Sequence, residues 1–119
     1  MRFRIEFSAA AERDFELVFD HLVDSFRGFG DSREDAMDHA MRRVLDIRRA
    51  ADRLGMAPMR GTARDDILPG LRHLSLDRAA YWFEVDEPAR RVAVLAVFFG
   101  GQDHVWRMLV RLLGGSGPA

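Results

Sequence analysis

The sequence predicts an α+β domain: an N-terminal strand, an αα-hairpin, a three-stranded antiparallel meander and a short C-terminal helix. Three observations carry this. Apolar residues alternate over residues 2–7. They recur at spacings of three and four from there to Leu54. Between Leu71 and Phe99, three apolar runs are separated only by hairpin-sized links.

In "RFRIEF", Phe3, Ile5 and Phe7 fall on one face and Arg2, Arg4 and Glu6 on the other, as in a half-buried strand. Ser8 offers an N-cap to a helix whose apolar stripe is Ala11, Phe15, Val18, Phe19, Leu22, Val23 and Phe26, opposite Arg13, Glu16, Asp20 and Asp24. Gly28 and Gly30 break it. Asp31 or Ser32 caps a second helix, with Met37, Ala40, Val44, Ile47, Ala51 and Leu54 on its apolar side and Gly55 as the expected C′ residue. Its charges are spaced to pair along a solvated face: Asp38 with Arg42, Arg48 with Asp52, Asp46 with Arg49.

"MAPMRGTARDDILPG" reads as a long connection. "LRHLSL", "AAYWFEV" and "RVAVLAVFF" follow as strands. The last is apolar at every position after Arg91, so both its faces need cover and it is expected to be central. Gly100 and Gly101 permit a tight corner, and Asp103 is expected to cap the helix "HVWRMLVRLL". That helix is apolar all round except at His104, Arg107 and Arg111, so it is either buried or meant for a partner. Residues 1–113 form one domain, and residues 114–119 read as a flexible tail.

Composition excludes several function classes. There is no cysteine, so disulfides, thiolate metal sites and cysteine nucleophiles are absent. The net charge is −1, which argues against a dedicated nucleic-acid binder. All the cations are arginine, so no lysine base is available. No apolar run follows the first basic residues, so no signal peptide is expected, and the longest apolar stretch, residues 92–99, is too short to span a membrane. The four histidines show no paired ligand spacing, and no glycine-rich nucleotide fingerprint or nucleophile elbow occurs, so neither a metal nor a cofactor is expected.

Two patterns, "DILPGLRHLSL…AAYWFEVD" and "VLAVFFGGQDH", stand in this order on a chain of this length. Together they resemble the RelE/ParE toxin superfamily, most of all its ParE-like plasmid-stabilisation branch, over almost the whole chain from Arg2 to Leu113. The resemblance implies a helical hairpin laid on an antiparallel sheet. It also implies a cytoplasmic toxin of a type II toxin–antitoxin system, held in a hetero-oligomer by an antitoxin whose tail wraps it. The RelE branch cleaves mRNA on the ribosome; the ParE branch is associated with inhibition of DNA gyrase.

Cleavage in the RelE manner calls for cations on the middle strand and just after the last strand. Here Ala79 or Ala80 and Gln102 stand at those positions. The side chains left for such chemistry are Arg72, His73, Tyr81 and His104, with Arg107 beside them, and they do not match the motif. The expected function is therefore a ParE-like toxin that binds a protein target, DNA gyrase, and is not itself an enzyme. The alternatives are a RelE-type ribosome-dependent mRNA endonuclease and a non-toxic complex partner. The target surface is expected at His104, Arg107 and Arg111, which share one helix face while Val105, Met108, Leu109 and Leu112 pack inward. As surface charges, Arg107 and Arg111 should be reversible at little cost. The antitoxin is expected on Trp82, Phe99 and Trp106, with no membrane or direct nucleic-acid contact.

Overall fold

The computed structural model of the chain describes residues 2–100 and 103–114. Strand β1 (Arg4–Phe7) runs into helix α1 (Ala9–Gly28), and the Ser8 hydroxyl accepts from the Ala11 N–H at 3.0 Å. Helix α2 (Arg33–Ala50) is capped by Ser32, which accepts from the Asp35 N–H at 3.1 Å. Asp31 instead meets His39 Nδ1 at 2.7 Å.

The second helix does not end at a C′ glycine. After Ala51 the chain re-enters a short helix, α3 (Asp52–Met56), which contains Gly55. A Cβ on Gly55 would lie 2.5 Å from the Phe3 carbonyl oxygen, while the Phe3 N–H donates to the Gly55 carbonyl at 2.9 Å. Glycine is needed here for close approach to the N-terminal strand rather than for a left-handed turn. The connection that follows is not structureless either: it holds a 3₁₀ turn (Pro58–Arg60) and a two-residue strand, β2 (Thr62–Ala63).

Strands β3 (Leu71–Leu76), β4 (Ala79–Asp86) and β5 (Arg91–Phe99) form the meander, and α4 (His104–Leu113) closes the fold. The sheet order is β1-β5-β4-β3-β2, antiparallel except where β1 lies parallel to β5. The apolar β5 is thus an interior strand, as its composition requires.

Helices α1 and α2 cover one sheet face, burying Phe15, Val18, Leu22 and Ile47 against Tyr81, Phe83, Val92, Val94 and Val97. Helix α4 covers the other, with Met108 against Leu71, Trp82, Ala96 and Phe98. The β4–β5 register steps from Phe83↔Val94 to Trp82↔Ala96, so Leu95 is an extra residue in a bulge. Strand β1 stops opposite Val94, so beyond that residue β5 has no strand beside its outer edge among the described residues. The charge pairs expected along α2 do not form among the described residues. Arg48 instead forks onto Glu12 of α1 at 2.5 and 2.9 Å, with its guanidinium 4.4 Å from the Phe7 ring centroid. No helix among the described residues is long and apolar enough to cross a membrane.

Candidate functional site

The free edge of β5 leaves backbone groups that side chains must satisfy. Ser8 Oγ donates to the Leu95 carbonyl at 3.2 Å. Asp14, on α1 and only 3% exposed, accepts from the Val97 N–H at 2.9 Å. Arg111 of α4 then forks onto the same carboxylate, at 2.6 Å to Oδ1 and 2.9 Å to Oδ2, with its guanidinium 5.1 Å from the Phe98 ring centroid. The hydrogen bonds that Arg111 donates to Asp14 hold its pKa above the usual guanidinium range. One buried pair therefore ties α1, β5 and α4 together. Arg111 is not the free surface charge the sequence suggested, because a buried carboxylate claims its fork. Asp14 escaped the sequence reading, although a signal existed: it sits three residues after Ala11 and four before Val18, inside the apolar stripe of α1.

Above this pair runs an open groove of about 580 Å³ between α1, the end of β5 and α4. Leu17 and Trp106, 64% and 66% exposed, form its rims, with Val18, Phe98, Phe99 and Val110 between them. Phe99 is half-buried and has the Arg43 and Arg78 guanidinium groups each 5.6 Å from its ring centroid. Arg107 lines the groove and pairs with Asp103 at 3.1 Å. Asp103 makes that ion pair in place of the expected side-chain cap.

Helix α4 turns Met108, Val105 and Leu112 inward as expected, but two of the three polar residues expected at its surface are engaged inside. His104 and Arg111 point to internal partners, while Trp106, Val110 and Leu113 stand exposed on the outside. The inward set is Met108, with Val105 and Leu112 half-buried beside it.

At the other end of α4, His104 Nδ1 accepts from Trp82 Nε1 at 3.1 Å, and the His73 ring lies 4.5 Å from Trp82 and 5.0 Å from His104. Trp82 is wholly buried in this cluster and offers no surface to a partner, so it drops out of the expected antitoxin set. Of the side chains weighed for catalysis, His73 and His104 come to this sheet face, whereas Arg72, paired with Phe83 on β4, lies on the helical-hairpin face. Tyr81 is also buried on the helical-hairpin face, where its hydroxyl donates to the Ile47 carbonyl at 2.5 Å and burial pushes its pKa well up. Nor are Arg72 and Arg64 free. Arg72 donates to the Met59 and Gly61 carbonyls at 3.3 and 2.8 Å, and Arg64 forks onto Asp66 at 3.0 Å to each oxygen. Ala79 and Ala80 are buried, and Gln102 lies outside the described residues.

Burial lowers the pKa of both imidazoles. His104 and Arg64 add to this at His73; at His104, Arg64 and Arg107 lower it and Asp103 opposes them. The unfolded chain, with ordinary histidines, takes up protons that the folded chain refuses. The folded state therefore has full stability above about pH 6.5 and loses it as pH falls through that value toward the lower folded pKa values. The expected result is a Tm that drops between about pH 7.5 and about pH 5. His104→Gln keeps an acceptor for Trp82 Nε1 and should flatten the drop; thermal melts across that range, wild type against variant, check it.

No family model matches the chain, and no curated protein matches it either. Solved structures do. A chain of the chromosomal ParDE TA system from P. aeruginosa matches with a TM-score of 0.63 at 20% identity, over 82% of this chain and 96% of that one. A chain of the RelBE2 toxin–antitoxin complex from Mycobacterium tuberculosis matches at 0.57 and 16% identity, over 83% and 92%. A mutant of the E. coli toxin RelE in its free state matches at 0.50 and 13% identity, over 95% and 99%. At these identities the likeness is one of fold.

Proposed function

The chain has the RelE/ParE toxin fold, and from that premise we propose that it is the toxin component of a type II toxin–antitoxin pair, of the ParE-like kind. It acts in the cytoplasm by binding a protein target, DNA gyrase, and a cognate antitoxin neutralises it in a hetero-oligomer. The observation that carries this reading is the groove: an apolar trough beside a strand edge that no other strand flanks among the described residues, the form of surface that takes up a helical segment of another chain. Phe99 and Trp106 belong to this antitoxin surface; Arg107, at its lip, remains the candidate for target contact. Binding without chemistry is supported by small buried residues at Ala79 and Ala80, by Arg64 being paired with Asp66, and by Arg72 donating to backbone carbonyls, so that neither arginine is free to stabilise a phosphorane.

One observation favours a second reading. His73 and His104 form a pair of uncharged imidazoles, the equipment of general acid–base chemistry, and so support a RelE-type ribosome-dependent endonuclease. Inducing the gene and following macromolecular synthesis separates the readings. The expected result is that DNA synthesis stops first, with no codon-specific mRNA cuts by primer extension. Discrete cuts in the ribosomal A site would establish the second reading, and harmless induction with the antitoxin still bound would leave a non-toxic complex partner.

A further inference from the structure

The outer side of α2 carries an apolar stripe that stays exposed among the described residues. Met37, Met41 and Leu45, four residues apart, are 40%, 49% and 39% exposed, and none of them lines the groove between α1 and α4. The charges of α2 divide along its length. Glu34, Asp35 and Asp38 lie on its first half, and Arg42 and Arg49 on its second. Among the described residues, none of these five makes an ion pair. Arg33 and Asp46 run against the division. At 100° per residue, though, Arg33 falls about 80° from the middle of the stripe, on the flank turned toward the buried Ala36, Ala40 and Ile47, and Asp46 falls about 140° away. Glu34, Asp38, Arg42 and Arg49 all lie on the other flank.

A helix with an apolar stripe, one acidic end and one basic end is complementary to itself when reversed. A two-fold axis at Met41 sets α2 antiparallel to its copy, so that Met37 meets Leu45 and Met41 meets Met41. The acidic half of each helix then runs beside the basic half of the other. In a parallel arrangement like charges would face each other. We infer that the exposed stripe of α2 is the docking surface for a second copy of this chain, in a two-fold dimer centred on Met41.

A single helix pair falls below the area of a standard stable interface, so the dimer is weak and its population depends on concentration and salt. The inference does not rest on toxicity and uses a face other than the groove, so it can fail or hold independently of the proposed function.

Sedimentation velocity of the purified full chain, from about 1 µM to about 500 µM, tests it. The expected result is a monomer–dimer equilibrium that weakens as salt rises. Met41→Glu places two carboxylates at the axis and should raise the dimer Kd more than about tenfold. Because residue 41 is exposed, circular dichroism should show the fold unchanged. Reversing the acidic half alone (Glu34→Arg with Asp38→Arg) should also abolish the dimer, and adding Arg42→Glu with Arg49→Glu should restore it. A monomer throughout, a dimer indifferent to Met41→Glu, or a fourfold charge swap that fails to restore association would each overturn the inference.

Discussion

Replacing Arg111 with leucine is expected to destabilise the fold by about 3–5 kcal/mol, a large share of the about 5–15 kcal/mol that holds a domain together. The arginine itself is partly exposed, but the carboxylate it leaves behind is not: among the described residues Asp14 keeps only the Val97 N–H and pairs with no second cation. An uncompensated buried charge is the costly half of a broken pair. Arg111→Glu should be worse, since it sets a second carboxylate against the first. Asp14→Asn should cost less, because its amide oxygen can still accept from Val97 and the freed guanidinium can reach water. Removing both charges together, as Asp14→Leu with Arg111→Leu, should recover part of the loss, held back by about 1–3 kcal/mol for the orphaned Val97 N–H. Urea denaturation of the four variants checks the order. If Arg111→Leu melts like wild type, the pair is a surface ornament and α4 is held by Met108 and His104 alone. The practical consequence is that an Arg107/Arg111 double reversal cannot map a toxic surface, because it unfolds the protein first. Arg107 has to be tested by itself.

That correction shows where sequence patterns stop. The strands, the helical hairpin and the meander were legible because each has a local period: two in "RFRIEF" and "AAYWFEV", three and four along α1 and α2. The need for cover on both faces of β5 was legible for the same reason. The inward engagement of His104 and Arg111 on α4 was not. A helix apolar nearly all round has several faces it could bury, and the choice is made by two distant polar groups that need partners. One is the Trp82 indole, paired with His104; the other is the Asp14 carboxylate, paired with Arg111. Pairing those inside forces Trp106 and Val110 outward. Similarly, nothing local brings His73 beside His104, or marks Gly55 as the point where α3 touches the Phe3 backbone. Of the proposed partner surface, Phe99 and Trp106 were named from the sequence, whereas Leu17 was not, since an exposed leucine on α1 acquires meaning only once α4 is seen across from it.

Leu17 and Trp106 set up the second large effect. Both are about two-thirds exposed in the free chain. Trp106→Glu, alone or with Leu17→Glu, should therefore change stability by no more than about 1 kcal/mol. Burial of the same side chains under an antitoxin segment would make them anchors of the interface. Loss of a central aromatic anchor costs about 2–4 kcal/mol, which is about 30- to 1,000-fold in Kd, and a carboxylate forced into an apolar trough adds to that. Thermal melts should thus match the wild type while calorimetric titration with the cognate antitoxin shows binding weakened by at least about 30-fold, and co-expression should no longer rescue growth. Arg107→Glu is the control: it sits at the lip in an exposed pair with Asp103, where charges contribute about 0–1 kcal/mol, and should leave antitoxin binding near wild type. If it also relieves growth inhibition, the target contact lies there. Should Trp106→Glu bind the antitoxin as tightly as the native chain, the groove is not its seat.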